Sequence, residues 1–247
     1  TLLWDVKTLS FRSVGIALLV GYAANNILPA RLGELFRADF AGRRYNLSRS
    51  AIVGSIFVER VLDGLIVVLC LVVGRLFVSE QPVLSSLTAI SALLFTSIFV
   101  ALWLLGRRSR LAWFARLPPA VASRIQSFSK GLSVMRGHGL GKVVNLSLIL
   151  WFLEGIALWS VLKAVDISLG WQAMLSVVGV TSLSTLIPSA PGFVGTYQYA
   201  YAFTVSLFGY EPARGVAAAT AVQIFLLGSV TLAGLGLYFY LNLVKPE

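Results

Sequence analysis

The chain has 247 residues, of which 57% are hydrophobic and 12% charged, and its mean hydropathy is +0.85. That balance excludes an ordinary soluble domain and points to membrane-spanning helices, because a span needs roughly 20 apolar residues and these runs lack the alternation of a transmembrane barrel. A net charge of +10 sits mostly in loops, where arginines act as topology signals and anionic-lipid contacts rather than as a nucleic-acid surface. Cys70 and His138 are the only cysteine and histidine, so no internal disulfide forms, and neither a zinc site nor a histidine-based triad has ligands to draw on. No metal or other cofactor is expected.

Val14 to Leu28 is the first apolar run, ended by Asn25-Asn26 and Pro29. Arg31 to Tyr45 reads as a basic amphipathic helix lying in the interface, with Leu32, Leu35, Phe36 and Phe40 at helical spacing. Ala51 to Phe77 is a long span with charges inside it, Ser79 to Pro82 a turn, and Val83 to Leu105 a clean span. Residues Arg107 to Lys142 carry eight basic and no acidic residues, and Trp113, Phe114, Leu117, Ile125 and Phe128 mark helical pieces on a membrane surface. The positive-inside rule makes 107–142 a cytoplasmic segment. Val143 to Leu162 spans outward, Trp171 to Ile187 re-enters, and the Pro188 to Gly195 break leads into Thr196 to Phe208. A last span covers Gly215 to Leu241, which leaves Lys245 inside.

Two hydrophobic runs are therefore broken at corresponding places, Ile27 to Phe40 and Leu186 to Tyr201, and such paired breaks are the best sequence pointer to a transporter's binding site. Val14 to Leu28 either crosses the membrane or dips in from the inside and returns through Arg31 to Tyr45 as a re-entrant hairpin. Trp171 to Phe208 is either two crossings or one re-entrant pair from the outside, and loop charges do not separate these versions. The favoured version has both pairs re-entrant from opposite faces, an inverted repeat. The expected class is thus an all-α polytopic membrane protein with spanning helices and two broken or re-entrant elements. A single transmembrane domain is expected over 1–247, and a start without Met fits native N-terminal helices being missing.

Glu59, Arg60 and Asp63 lie inside an apolar helix, where each unpaired charge near the bilayer centre costs about 2.5 to 3.5 kcal/mol. Arg60 and Asp63, three apart, can pair. The cluster is either a buried ion-pair network that orients helices or the lining of a water-filled cavity, and the cavity is favoured. Arg31 and Glu34 cap a helix or meet an anionic headgroup, arginine's planar fork suiting phosphate. Glu154, a lone acid in mid-span, must pair, protonate or face water; an arginine partner from another helix is the favoured outcome, with ion coupling as the other role. Gln223 reads as glue between helices. The Pro188 to Gly195 break is a mere kink or a site, and the free N–H groups opening the Thr196 helix would suit a phosphate.

Asn26-x-x-Pro29-x-x-x-Gly33-Glu34 with Arg37, Glu59-Arg60-x-x-Asp63, and Pro188-x-x-Pro191-Gly192-x-x-Gly195-Thr196 together resemble the lysylphosphatidylglycerol synthase transmembrane family, also called the flippase-like domain family. The resemblance implies a bacterial or archaeal inner-membrane protein; some members of that family flip aminoacylated phosphatidylglycerol. Members commonly carry a glutamate where this chain has Gln198, so acid–base chemistry there is not carried over, nor is lipid synthesis, because the catalytic domain is absent.

The resulting expectation is a non-enzymatic flippase for an anionic or aminoacylated phospholipid or a lipid-linked headgroup. Its substrate-binding set is Asn26, Arg31, Glu34, Arg37, Glu59, Arg60, Asp63, Pro191, Gly192, Gly195, Thr196 and Gln198, with Glu154 as coupling acid. Arg31, Arg37 and Arg60 would hold the phosphate, and the carboxylates would balance them or receive an amine. Partners would be the phospholipid and the bilayer, with a second copy or a partner synthase as further options and no nucleic acid. The alternatives are a small-solute or ion transporter, a lipid-modifying enzyme and a membrane anchor for a synthase.

Overall fold

A computed structural model describes residues 10–29, 32–76, 81–107, 118–132, 139–187 and 189–244. Arg31, Pro188, Trp113, Phe114, Leu117, His138 and Lys245, and residues 79 and 80 of the 79–82 turn, lie outside them. Among the described residues every regular element is helical, and the protein is an all-α membrane protein.

The first element, α1 (Phe11–Ile27), starts where the Ser10 hydroxyl accepts the Ser13 N–H, an N-cap that satisfies one of the unpaired donors of a helix start. It ends before Pro29, whose ring cannot continue the ladder, with Leu28 already extended. The chain then doubles back as α2 (Leu32–Arg44). The antiparallel register shows in three contacts: Gly33 beside Asn25, Gly21 beside Arg37, and the Tyr45 hydroxyl donating to the Ser13 carbonyl at 3.1 Å. Gly33 makes this close return feasible, since a Cβ there would lie 2.1 Å from the Asn25 nitrogen.

Next come α3 (Arg49–Leu76), α4 (Pro82–Arg107), α5 (Pro119–Gly131) and α6 (Gly139–Ala164). Then α7 (Trp171–Ser184) leads through a single 3-10 turn at Pro191–Phe193 into α8 (Thr196–Ser206). The last stretch is α9 (Pro212–Val222), a π turn at Gln223–Leu227 and α10 (Gly228–Val244). Among the described residues three helical stretches are long and apolar enough to cross a membrane, Pro82–Leu104, Leu140–Ala164 and Pro212–Leu243. At 28 residues α3 has the length as well, but it carries Glu59, Arg60 and Asp63 in its interior.

The packing pattern repeats. In the first half α1 packs on α2, and α2 on α3; in the second α7 packs on α8, and α8 on α9. Each hairpin's first arm then crosses to the long helix of the other half, α1 against α10 and α7 against α3. Small residues line these contacts, as in helix pairs that lack a hydrophobic drive to associate: Ala17, Ala38 and Ala41 in the first hairpin, Ala218 and Ala219 on α9. Large apolar side chains such as Leu93 and Leu232 point outward, as lipid-facing positions require.

Two shorter helices pack on α3. The face α2 turns inward holds Gly33, Arg37, Ala38 and Ala41, while Leu32 and Leu35 are exposed. It is therefore a packed arm of the hairpin, its Arg37 charge matched from α3, with its leucines left on the outside. Helix α5 is docked on α3, with the Phe128 ring edge-on to Phe57 and Leu132 fully buried.

Candidate functional site

The three ionisable groups of α3 are held from two sides. On one, the Arg37 guanidinium of α2 donates from Nη2 to Glu59 Oε2 at 2.7 Å. On the other, Arg60 lies between two carboxylates, with Nη2 3.1 Å from Asp63 Oδ2 and Nε 3.6 Å from Glu34 Oε1. Asp63 also accepts the indole N–H of Trp151 from α6 at 3.1 Å. Charges that would oppose insertion singly are thus neutralised in a chain running from α2 through α3 to α6.

A cavity of about 590 Å³ opens beside this chain, within the ~300–1,000 Å³ span of small-molecule sites. Tyr22 and Asn26 of α1, Arg60 and Asp63 of α3, and Glu154 of α6 provide its polar wall, and Tyr197 of α8 closes it. The Arg60–Asp63 pair and Glu154 therefore share one lining. Glu154 pairs with no side chain among the described residues; it projects into the opening.

The two breaks meet behind this wall. Asn26 donates to the Leu227 carbonyl at 3.3 Å and to the Thr231 hydroxyl at 2.8 Å, which pins the end of α1 to the π turn and α10. A Cβ on Gly192 would lie 3.8 Å from the Asn26 carbonyl oxygen. The break bends sharply there: Gly192 and Gly195 have φ of 66° and 90°, conformations glycine adopts without steric cost. Its backbone is then tied down locally. Gln223 donates to the Gly192 carbonyl at 2.8 Å, Gln198 donates to Gln223 Oε1, and the Gly195 N–H donates to Gln198 Oε1 at 2.8 Å.

The family described as "Lysylphosphatidylglycerol synthase TM region" matches residues 1–234. The chain belongs to this family. A UPF0104 membrane protein of Methanocaldococcus jannaschii is 26% identical over 231 residues, 90% of this chain and 96% of that protein. A UPF0104 membrane protein of Methanothermobacter thermautotrophicus is 25% identical over 257 residues, 90% of this chain and 75% of that protein. No solved structure matches.

In this lysylphosphatidylglycerol synthase TM region member, Asn26, Arg60, Asp63 and Glu154 come together on one cavity. Glu34 stands behind Arg60. Arg37 and Glu59 are engaged with each other and lie outside that lining. Pro191, Gly192, Gly195, Thr196 and Gln198 form the turn that positions Tyr197 rather than the wall itself. Among the described residues no arginine forms an ion pair with Glu154, and Arg60, on the same cavity, is held by Glu34 and Asp63. Gln223 does act as glue, between the π turn and the break. Arg31 is outside the described residues. Among the described residues no three His, Cys, Asp or Glu side chains converge as metal ligands would.

Sequence reading missed Tyr22, Trp151, Tyr197 and the π turn. Two of these had a usable signal: Tyr22 precedes Asn26 by four residues and Trp151 precedes Glu154 by three, spacings that put each pair on one helix face. For the π turn the only hint was the polar Gln223 in an apolar run.

Proposed function

We propose that this protein translocates a phospholipid or lipid-linked headgroup across a bacterial or archaeal inner membrane, as a carrier rather than an enzyme. The observation that carries this reading is the cavity in front of the two chain breaks, with Arg60, Asp63 and Glu154 on its wall. A headgroup bearing phosphate and amine complements that wall. The phosphate competes for Arg60 with Glu34 and Asp63, and the ammonium is received by Glu154, which has no ion-pair partner among the described residues. The acidic excess favours an aminoacylated headgroup over a purely anionic one.

The hairpin arms α1, α2, α7 and α8 have 17, 13, 14 and 11 residues, or roughly 16 to 26 Å at ~1.5 Å per residue, less than the ~30 Å core. Their shortness and reciprocal packing support re-entrant hairpins from opposite faces in one transmembrane domain, with 107–142 cytoplasmic. Rocking one hairpin and its long helix against the other would open the cavity alternately.

The test is reconstitution in liposomes with headgroup-labelled anionic, aminoacylated and neutral lipids, alongside Arg60→Ala and Glu34→Ala. Headgroup-dependent movement that both substitutions abolish in folded protein is the expected result. Wild-type protein that moves no lipid faster than empty liposomes, with or without an imposed ion gradient, overturns the reading. Uptake of a small cation without lipid movement would favour a solute transporter, for which the same unpaired Glu154 is suited.

A further inference from the structure

Helix α6 separates two different spaces. Ser147, Leu150, Glu154 and Leu158 face the polar cavity. On its other side, Leu148, Phe152, Gly155, Ile156 and Trp159 face a second groove of about 780 Å³, whose lining carries no charged side chain. Trp151 belongs to both: its indole N–H is held by Asp63, while its ring forms part of the apolar wall.

The groove neighbours the cavity along α3, with Trp151 between them. Arg60 and Asp63 line the polar space, and Ile66, Leu69, Cys70 and Val73 follow them into the apolar one. From Asp63 to Val73 is about 15 Å of helix. Met174 and Val178 of α7 form the opposite side. At its centre Gly155 leaves room: a Cβ built there meets nothing within 4 Å, although glycine is a poor helix residue and any larger side chain would fill the space.

We infer, on the strength of the lipid-translocation reading, that this groove seats one acyl chain of the lipid whose headgroup enters the polar cavity, with Trp151 at the junction of head and tail. The order along α3 sets the polarity of the bound lipid. Its head lies toward the N-terminal half of α3 and its chain toward the C-terminal end. An amphiphile is the one ligand class that matches a charged space and an uncharged one sharing a wall. The substrate is then selected by its tail as well as its head, which distinguishes this arrangement from a polar track along which only the headgroup moves.

The full chain is reconstituted in phosphatidylcholine–phosphatidylglycerol liposomes with a trace of phosphatidylglycerol carrying a diazirine in one acyl chain. After photolysis the labelled positions are mapped. Adducts should concentrate several-fold on residues 66–73 and 148–159 over the outward leucines Leu93 and Leu232. Gly155→Phe should abolish that excess and Gly155→Ala should keep it, while Cys70→Trp fills the groove from α3 and should act like Gly155→Phe. Even labelling, or an excess that neither filling variant lowers in folded protein, overturns the seat. Movement of headgroup-labelled lipid is read in the same vesicles. Even labelling with movement retained removes the seat and leaves translocation standing; focused labelling without movement leaves a lipid site and removes translocation.

Discussion

Gln198 stands in the second hairpin where Glu34 stands in the first. Each is the third residue of its hairpin's returning arm, α8 and α2. Each also meets the residue eleven positions beyond the start of the following long helix: Glu34 faces Arg60 on α3, and Gln198 donates to Gln223 after Pro212. The fold has one connection built twice, ionic beside the cavity and neutral behind the break. The neutral version does not draw a second pair of charges into the membrane, where each is expensive.

That equivalence makes the amide pair a structural tie that can be measured. Gln198→Leu should destabilise the protein by about 1–3 kcal/mol, since it leaves the Gly195 N–H and the Gln223 oxygen without partners. Gln198→Glu keeps an acceptor for Gly195 but sets a carboxylate oxygen against Gln223 Oε1 and adds a charge at membrane depth, so it should be at least as destabilising. In a double-mutant cycle with Gln223→Leu the losses should fall short of additive. Unfolding in detergent by heat or denaturant reads all three, and strict additivity would show that the two amides do not act together.

The Arg37–Glu59 pair should behave as a desolvated salt bridge. Arg37 is 7% exposed and its Nη2 lies 2.7 Å from Glu59. Arg37→Ala alone leaves a carboxylate facing an apolar interior and should destabilise by about 3 kcal/mol, the lower end of the range for breaking a buried pair, because the Glu59 side chain keeps some exposure. Arg37→Leu with Glu59→Leu should recover most of that loss. If the double variant is as unstable as the single, the pair contributes stability of its own rather than cancelling two insertion penalties.

Much of this architecture can be read from residue order because bilayer physics acts on single residues. Hydropathy marks α4, α6 and the final stretch; Pro29 and the Pro191-Gly192 turn mark the breaks; three charges inside α3 mark a polar interior by their insertion cost alone. What is harder to read depends on facing. Tyr22, Trp151 and Tyr197 line the cavity, yet their hydropathy is that of aromatic residues facing lipid. Arg37 was legible as a charge but not as the partner of Glu59, which is fixed by the α1–α2 register. The solitary state of Glu154 depends on Arg60 being held from two other directions, a relation among three helices.

The hairpin return depends on Gly33 more sharply than hydropathy can indicate. A Cβ there would come within 2.1 Å of the Asn25 nitrogen and 2.6 Å of the Ala24 carbonyl carbon, backbone atoms that cannot swing away. Gly33→Ala should therefore prise α1 from α2 and lower stability by about 1–3 kcal/mol, the usual overpacking range or above it. Gly155→Ala, where the Cβ meets open space, should be neutral or stabilising by about 0.5–1 kcal/mol through helix propensity. Melting of the two variants side by side separates a steric requirement from a general intolerance of added methyls.

Glu154 gives the cleanest division between stability and transport. No described side chain pairs with it, so Glu154→Gln removes a charge without orphaning a partner and keeps the shape of the cavity wall. Melting temperature should be unchanged or higher, because an unpaired carboxylate at membrane depth is itself unfavourable. Movement of aminoacylated lipid should fall steeply, since the amine loses its acceptor, while movement of a purely anionic lipid, held at Arg60, should change less. Paired headgroup-movement assays on the two lipids give the ratio directly. Equal losses on both would move Glu154 from headgroup recognition to ion coupling, and a lower melting temperature would mean that it has a structural partner.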